Sequence, residues 1–305
     1  MRDKSSISVL MPVYNAEPYI GKAVESILKQ TFTDFEFIII NDGSTDRSLQ
    51  ILQHYAHQDD RIRLVSRENR GLVKTLNEGL DLADAPLIAR MDADDIAVPE
   101  RFALQKDFMD NNPDFVCVGG RVRVIDEKSR FLIIADTKLD HEEIELSALQ
   151  GITPICHPTA MLRKDKLNIV GGYQQCDYPA EDLGLFLNLS ELGRLGNLSN
   201  IVLEYRIHNH SISTTTNEFQ MQKSREICEK HWKKRGREYP FLALEGRPGV
   251  SRASKFDITL KHGWWAFNSK QWKTAVIYGL KSIAINPFKQ DGWRLFICGL
   301  IKWPK

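Results

Sequence analysis

The segment Asp92-Ala93-Asp94-Asp95 has the residue types and spacing for cation chemistry. It follows Pro86-Leu87-Ile88-Ala89-Arg90-Met91, an apolar run that reads as a strand. Residues i and i+2 of an extended segment project to one side, so Asp92 and Asp94 converge on one point. Two carboxylates held together repel each other unless a cation neutralises them. Hard oxygen ligands suit Mg2+ or Mn2+, which leave positions free for substrate phosphates. An isolated Asp-x-Asp is more often a solvated acidic turn, and here the context decides for chemistry. A second acidic pair, Glu181-Asp182, precedes an apolar helix whose N-terminus Asp182 is placed to cap. Asp42 sits in the turn-rich Asn41-Asp42-Gly43-Ser44, where its side chain suits the turn and a cap on the following helix.

The elements that must position these groups alternate. Ile7–Met11, halted by Pro12, reads as a buried strand, and Glu17–Gln30 has helical spacing. The pattern predicts further strands at Phe35–Ile40, Ile62–Val65 and Pro86–Met91, with helices over Asp46–Ala56 and Gly71–Ala83. Such alternation predicts a parallel α/β sheet with helices on both faces and ligands at the carboxyl ends of its strands. Asp42, Asp92, Asp94 and Asp95 all fall immediately after strands. From Phe102 to about residue 213 the pattern is mixed. A helix to Met109 precedes strands near Val116–Val118, Arg121–Ile125 and Phe131–Ile134, and helices near Glu142–Leu149 and Leu183–Leu192. From Glu218 onward the chain reads mostly helical.

The 305 residues are 42% hydrophobic and 27% charged, proportions that exclude collagen-like, low-complexity and largely disordered classes. This length suits one large domain with an appendage, or two domains. A net charge of +1 gives no global case for a nucleic-acid partner. Cys117, Cys156, Cys176, Cys228 and Cys298 are far apart with no CxxC pair, which favours reduced thiols over disulfides or a zinc site. Met1–Ser6 leads into a strand-like run without an apolar signal core, and no apolar stretch approaches the roughly 20 residues of a spanning helix. The expected location is cytoplasmic, with the inner face of a membrane as a peripheral docking surface.

The motifs share an order. Met11-Pro12-Val13-Tyr14-Asn15-Ala16-Glu17 and Ile40-Asn41-Asp42-Gly43-Ser44-Thr45-Asp46 come first, then Asn69-Arg70-Gly71 and Asn77-Glu78-Gly79. Ile88-Ala89-Arg90-Met91-Asp92-Ala93-Asp94-Asp95 is followed much later by Pro179-Ala180-Glu181-Asp182-Leu183 and by Tyr205-Arg206-Ile207-His208, which runs on to Ser213. In this order and spacing the set resembles family 2 glycosyltransferases, inverting nucleotide-sugar transferases of the GT-A fold, over roughly residues 7–213. The resemblance implies an α/β class, a Rossmann-like mixed sheet flanked by helices, with a C-terminal helical extension. The expected division is a catalytic domain over 1–215, its nucleotide-binding half at about 1–98 and its acceptor half at about 99–215, and an extension over 216–305.

Residue by residue, the resemblance implies that Pro12, Tyr14 and Glu17 border the base and ribose. Asp42 would accept from a base ring N–H, a group that uracil presents and cytosine does not. Asp92 would face the ribose or the cation's water shell, and Asp94 would bind the Mn2+ or Mg2+ that bridges the diphosphate. Asp182 would be the general base, with Glu181 supporting it through contact with sugar or acceptor. His208 is open between a structural role and a metal ligand, and either Arg206 or His208 is an alternative partner for the diphosphate. Asn69, Gly71, Lys74 and Asn77 open or line a helix, where packing and capping are the first reading for Gly and Asn.

The near-neutral average conceals an asymmetry. Residues 251–305 hold 10 Lys or Arg against Asp257 and Asp291, a net of +8, which leaves −7 for residues 1–250. The same segment has Trp264, Trp265, Trp272, Trp293 and Trp303. Trp272 to Pro287 looks like one helix of a tetratricopeptide hairpin, read as a helical cap. Trp293–Trp303 is short, apolar and flanked by cations, which suits either an anionic membrane surface or packing on the neighbouring domain.

The expected activity is metal-dependent, inverting transfer from a nucleotide-diphospho-sugar, a UDP-sugar, to a glycan or glycolipid acceptor in surface polysaccharide synthesis. Two alternatives are a polyprenyl-phosphate glycosyl transferase and a nucleotide-sugar-binding scaffold without turnover.

Overall fold

A computed structural model describes residues 5–208, 217–236 and 254–301. Asn209–Ser213 of the last motif, and Trp303, lie outside the described residues. The chain divides into two compact units. The first contains the chain up to Val122, then Asp136–Tyr205 and the helix Asn217–Lys234; the second contains Arg123–Ala135, Arg206–Asn209 and the chain from Pro240 onward.

The first unit is built on parallel strands β1 (Ile7–Val13), β2 (Phe35–Asp42), β3 (Ile62–Arg67) and β4 (Leu87–Arg90), in the spatial order β3-β2-β1-β4. Beyond β4 the sheet turns antiparallel, through β8 (Met161–Arg163), β6 (Phe115–Asp126), β9 (Arg194–Ile207) and β5 (Ile96–Ala97), with β7 (Phe131–Ile134) on β6. The sheet is therefore mixed. Central β1 is buried along both faces, as continuous apolar runs in parallel strands require. Helices α1 (Ile20–Leu28), α2 (Ser48–Ala56) and α3 (Leu72–Leu82) follow the first three strands. On α1, Ile20, Ala23, Val24 and Ile27 are buried at helical spacing. On α3, a side chain at Gly79 would collide with Leu10, so the helix packs closely on β1.

Three expectations change. Pro12 does not end β1, whose register with β2 continues through Pro12↔Ile40 to Val13↔Asn41. Pairing with β4 stops at Leu10↔Arg90, so the proline has a strand on one side only. The two strands expected around residues 116–125 are one, β6, running through Gly119 and Gly120. Side chains there would collide with Asn197 and Ile155, or with Val202, so these glycines mark close packing rather than a turn. Helix α1 starts at Ile20 rather than Glu17, and the segment leading into it is tied to the neighbouring loop by Ala16 N–H to Ser48 Oγ (2.9 Å) and Glu17 N–H to Asp46 Oδ2 (3.0 Å).

Helix α4 (Arg101–Asn111) precedes β6, and α5 (His141–Leu149), α6 (Lys164–Val170) and α7 (Glu181–Leu189) complete the compact core of the first unit. Helix α8 (Asn217–Lys234) joins that unit by burying Ile227 and Cys228 against Ala148, Leu149, Leu183 and Leu187. In the second unit, α9 (Lys255–Asn268), α10 (Trp272–Ile285) and α11 (Gln290–Ile301) pack in succession. Ser254 and Asp257 form a reciprocal capping box at the start of α9. Single tetratricopeptide-like helix α10 is thus the middle of three. Glycines allow the close crossings: Gly263 faces Leu295 and Tyr278, and Gly279 lies against the backbone of Phe296. Tyr278 also donates its hydroxyl to Asp126 Oδ2 at 3.0 Å, tying α10 to the end of β6. Among the described residues no helix is long and apolar enough to cross a membrane.

Candidate active site

The loops after β1 and β2 are clipped together. Asn15, at φ 50°, accepts from Thr45 N (2.8 Å), its own N–H donates to Ser44 Oγ (3.0 Å), and Glu17 pairs with Arg47 at 3.0 Å. Asp46 Oδ1 accepts from Ser48 N at 2.9 Å, so Asp46 rather than Asp42 ties down the start of α2. The clip leaves Tyr14 55% exposed at the carboxyl end of β1, a free aromatic face, with Pro12 half-buried beside it in sequence.

Asp42 is buried and its carboxylate is engaged by the loop before α3. It accepts from Arg70 N (2.8 Å) and Gly71 N (3.0 Å) and forms an ion pair with Arg67. Gly71 has φ 87°, a conformation that favours glycine. Arg67 also bonds Glu78 and Thr75 Oγ1. Burial would lower Arg67, but Glu78 and Asp42 overcome it and raise its pKa. Asp42 therefore holds the loop containing Arg70, and Arg67 is a partner that the motif reading missed. Its signal was one cation between two acidic motifs, too common to stand out.

Asp92, Asp94 and Asp95 present carboxylate oxygens that all lie within 4.8 Å of one another. Asp92 and Asp94 do converge, but through a turn at Ala93–Asp94 rather than as alternate residues of an extended strand, and Asp95 joins them as a buried member. The geometry arises because β4 ends at Arg90 and the chain turns at once into β5, paired with β9 through Ile96↔Glu204. Arg90 is 3% exposed and forms an ion pair with Asp92. Burial lifts the Asp92 carboxyl above its ordinary value, the Arg90 charge opposes this, and the Asp94 charge adds to it. A compact set of hard oxygens under mutual repulsion is what a divalent cation relieves.

Glu181 and Asp182 open α7. The N-cap is Ala180, so Asp182 is not the cap; its Oδ1 accepts from Leu183 N at 2.7 Å. Glu181 is buried, with Oε2 lacking a hydrogen-bond partner, and burial followed by the Asp182 charge pushes it up to about 7. Burial likewise raises Asp182, against the Leu183 N–H and the Arg90 charge. Both carboxyls are raised further by Asp92, which brings the acidic pair and the Asp cluster into one electrostatic system around Arg90.

Beneath it, His157 Nε2 and the Tyr173 hydroxyl are 2.8 Å apart, both buried. Burial and the Arg90 charge hold His157 well below its usual value, so the imidazole is neutral. Asn77 grips Tyr173 through both backbone groups, N–H at 2.9 Å and C=O at 2.8 Å, the structural role expected of an Asn there.

His208 and Arg206 belong to the second unit. Arg206 is buried and donates to Asp126 O and Ser129 Oγ, both at 3.0 Å. Its guanidinium is thus built into the β6–β7 turn, which removes it as the alternative partner for a diphosphate.

Residues 8–170 match the family model described as glycosyl transferase family 2. An uncharacterized glycosyltransferase of Haemophilus influenzae is 33% identical over 231 residues, 72% of this chain and 71% of that protein. The O-antigen biosynthesis glycosyltransferase WbnJ of Escherichia coli is 36% identical over 217 residues, 69% of this chain and 83% of that protein. Among solved structures, S. aureus TarS 1-349 in complex with UDP-GlcNAc superposes with a TM-score of 0.59 at 16% identity, over 97% of this chain and 92% of that one. The mannosyltransferase PcManGT from Pyrobaculum calidifontis, in complex with GDP-Man and Mn2+, gives 0.57 at 15% identity, over 99% and 87%. At these identities the structures share the fold, which is GT-A.

Proposed function

Since the chain belongs to glycosyltransferase family 2, we propose that it transfers a sugar, with inversion, from a nucleotide-diphospho-sugar to an acceptor hydroxyl during surface polysaccharide or glycolipid synthesis. The observation that carries this reading is the convergence of three carboxylates within 4.8 Å at the end of β4, electrostatically coupled to the raised Glu181–Asp182 pair. The domain division that goes with it is catalysis over about 1–215, with the nucleotide half at about 1–98, and a helical extension over 216–305.

The donor assigned is a UDP-sugar. The exposed Tyr14 ring would stack on the base, with Pro12 and Glu17 at the border of base and ribose. Asp42 has three donors of its own chain on two oxygens, and a carboxylate has about four acceptor sites. It retains room for one base N–H while holding the Arg70–Gly71 loop at the same end of the sheet. TarS in complex with UDP-GlcNAc and PcManGT in complex with GDP-Man support a nucleotide-sugar of one base or the other.

The three-carboxylate set fits Mn2+ or Mg2+ in ligand type. Asp94 would hold the ion, with Asp92 facing the ribose or the ion's water and His208 the further candidate ligand. When bound, such an ion neutralises diphosphate charge and eases its departure. Asp182 takes the proton from the acceptor hydroxyl as its oxygen attacks the anomeric carbon and the bond to the nucleoside diphosphate breaks on the opposite side. Burial raises the basicity of Asp182, which suits proton abstraction near neutral pH. Glu181, about half protonated near pH 7, supplies a donor or acceptor to sugar or acceptor hydroxyls.

The test is a screen of UDP- and GDP-sugars with the purified protein and Mn2+, read as nucleoside diphosphate release. Turnover of a UDP-sugar supports the assignment. Turnover of GDP-sugars alone refutes the base assignment, and binding of no nucleotide-sugar refutes the whole reading.

A further inference from the structure

Helix α11 is apolar on both sides. Its inner side is Gly292, Leu295 and Gly299, where Leu295 is fully buried and a side chain at Gly299 would press on Val276. At roughly 100° per residue, Trp293, Ile297, Leu300 and Ile301 share an outer arc about 100° wide. These four are 46%, 48%, 57% and 60% exposed. Phe288, in the segment leading into the helix, is also fully open to solvent. A helix lying on a protein in water normally turns a polar face outward. This one turns outward a tryptophan and three large aliphatic side chains.

The charges follow the same division. The single acid of the helix, Asp291, lies about 160° round from Trp293, away from the arc. Exposed Arg294 borders the arc beside Ile301. Asp257, the other acid after residue 250, is already engaged by Ser254 and Lys289. The sequence continues with Lys302 and Lys305, and residues 251–305 carry a net +8.

We propose that this outer face of α11 docks on an anionic lipid surface. Trp293, Ile297, Leu300 and Ile301 enter the boundary between headgroups and acyl chains, and Arg294 at the edge of the arc meets lipid phosphates. Charge complementarity selects this occupant over a second copy of the chain. A two-fold contact sets the same surface against itself, so it would bring Arg294, the cation bordering the arc, towards its own copy with no acid on the arc to meet it. Anionic lipid supplies the opposite sign, and tryptophan suits a boundary that is wet on one side. The proposal is independent of the donor and of the base assignment.

Vesicle flotation of the full chain tests it, with vesicles of phosphatidylglycerol and phosphatidylcholine in equal parts against phosphatidylcholine alone. The wild type floats with the anionic vesicles, and far less with the neutral ones. Ile297→Glu with Ile301→Glu reduces flotation at least about tenfold while leaving the thermal midpoint in place, since both side chains already face water. Trp293→Ser, a neutral change on the same arc, reduces it in the same direction. A wild type that stays down with both vesicles overturns the proposal, as does a double Glu variant that floats like the wild type. A dimer split by the same substitutions, with no flotation, overturns it in favour of self-association.

Discussion

Arg90 ends β4 and forms an ion pair with Asp92, two residues further along the same chain, from a position only 3% exposed. Its charge also opposes the burial-driven rise in the pKa of Glu181 and Asp182, so one buried cation partly balances the carboxylates of both acidic motifs. Such an arrangement is stable only while the cation is present, or while another replaces it.

Removing that cation is therefore destabilising. Arg90→Met should lower the unfolding free energy by about 3 kcal/mol, the penalty for leaving a buried charge without its partner. Added Mn2+ should restore part of the loss. Urea denaturation with and without the metal measures both; a loss below about 1 kcal/mol would mean that the pair acts like an exposed one.

Glu181 makes stability fall with rising pH. Its pKa is raised from 4.5 to about 7, so between those values the folded state binds more protons than the unfolded state. Stability is then lost as pH rises through that window, by up to about 3 kcal/mol. Glu181→Gln should remove this slope, and should stabilise the protein at pH above the window while lowering transfer. Chemical denaturation on both sides of the window reads the difference between variant and wild type.

Metal binding should register without turnover. At a concentration about a hundred times its Kd, Mn2+ should stabilise the fold by about 2.7 kcal/mol, seen as a higher thermal midpoint that chelation reverses. Asp94→Asn should weaken the ion at least about tenfold. An unchanged midpoint response in that variant would remove Asp94 from the ligand set.

Asp42 should matter to fold and donor together. Asp42→Ala leaves Arg67 with Glu78 as its remaining carboxylate partner and strips the acceptor from Arg70 N and Gly71 N. The expected loss is about 3 kcal/mol, with donor affinity down about tenfold, one base contact in free energy. Calorimetric titration with UDP alongside denaturation separates the two effects; stability loss with unaltered UDP affinity would make Asp42 a loop anchor only.

What the sequence reveals follows from what is local. The alternation of β1 to β4 with α1 to α3, and the carboxylates at strand ends, rest on periodicity and chain order, so Asp42, Asp92 and Asp94 are found at once. The joining of Asp95 to that cluster depends on the turn into β5, whose two residues are too few to show a pattern. Arg90 and Arg67 are ordinary in sequence and become central through burial beside carboxylates. The length of β6 was hidden by Gly119 and Gly120, which look like a turn until Asn197 and Val202 are seen to need the space. Arg206 looked available because its motif is charged, and its bonds to Asp126 and Ser129 depend on a turn some 80 residues earlier in sequence.

Asp182 as the group that takes the acceptor proton is tested by the transfer rate of Asp182→Asn, with donor Kd determined on the same preparation. The rate should fall by a factor of about 10²–10⁴ with donor affinity nearly unchanged. Full transfer activity in that variant would contradict it.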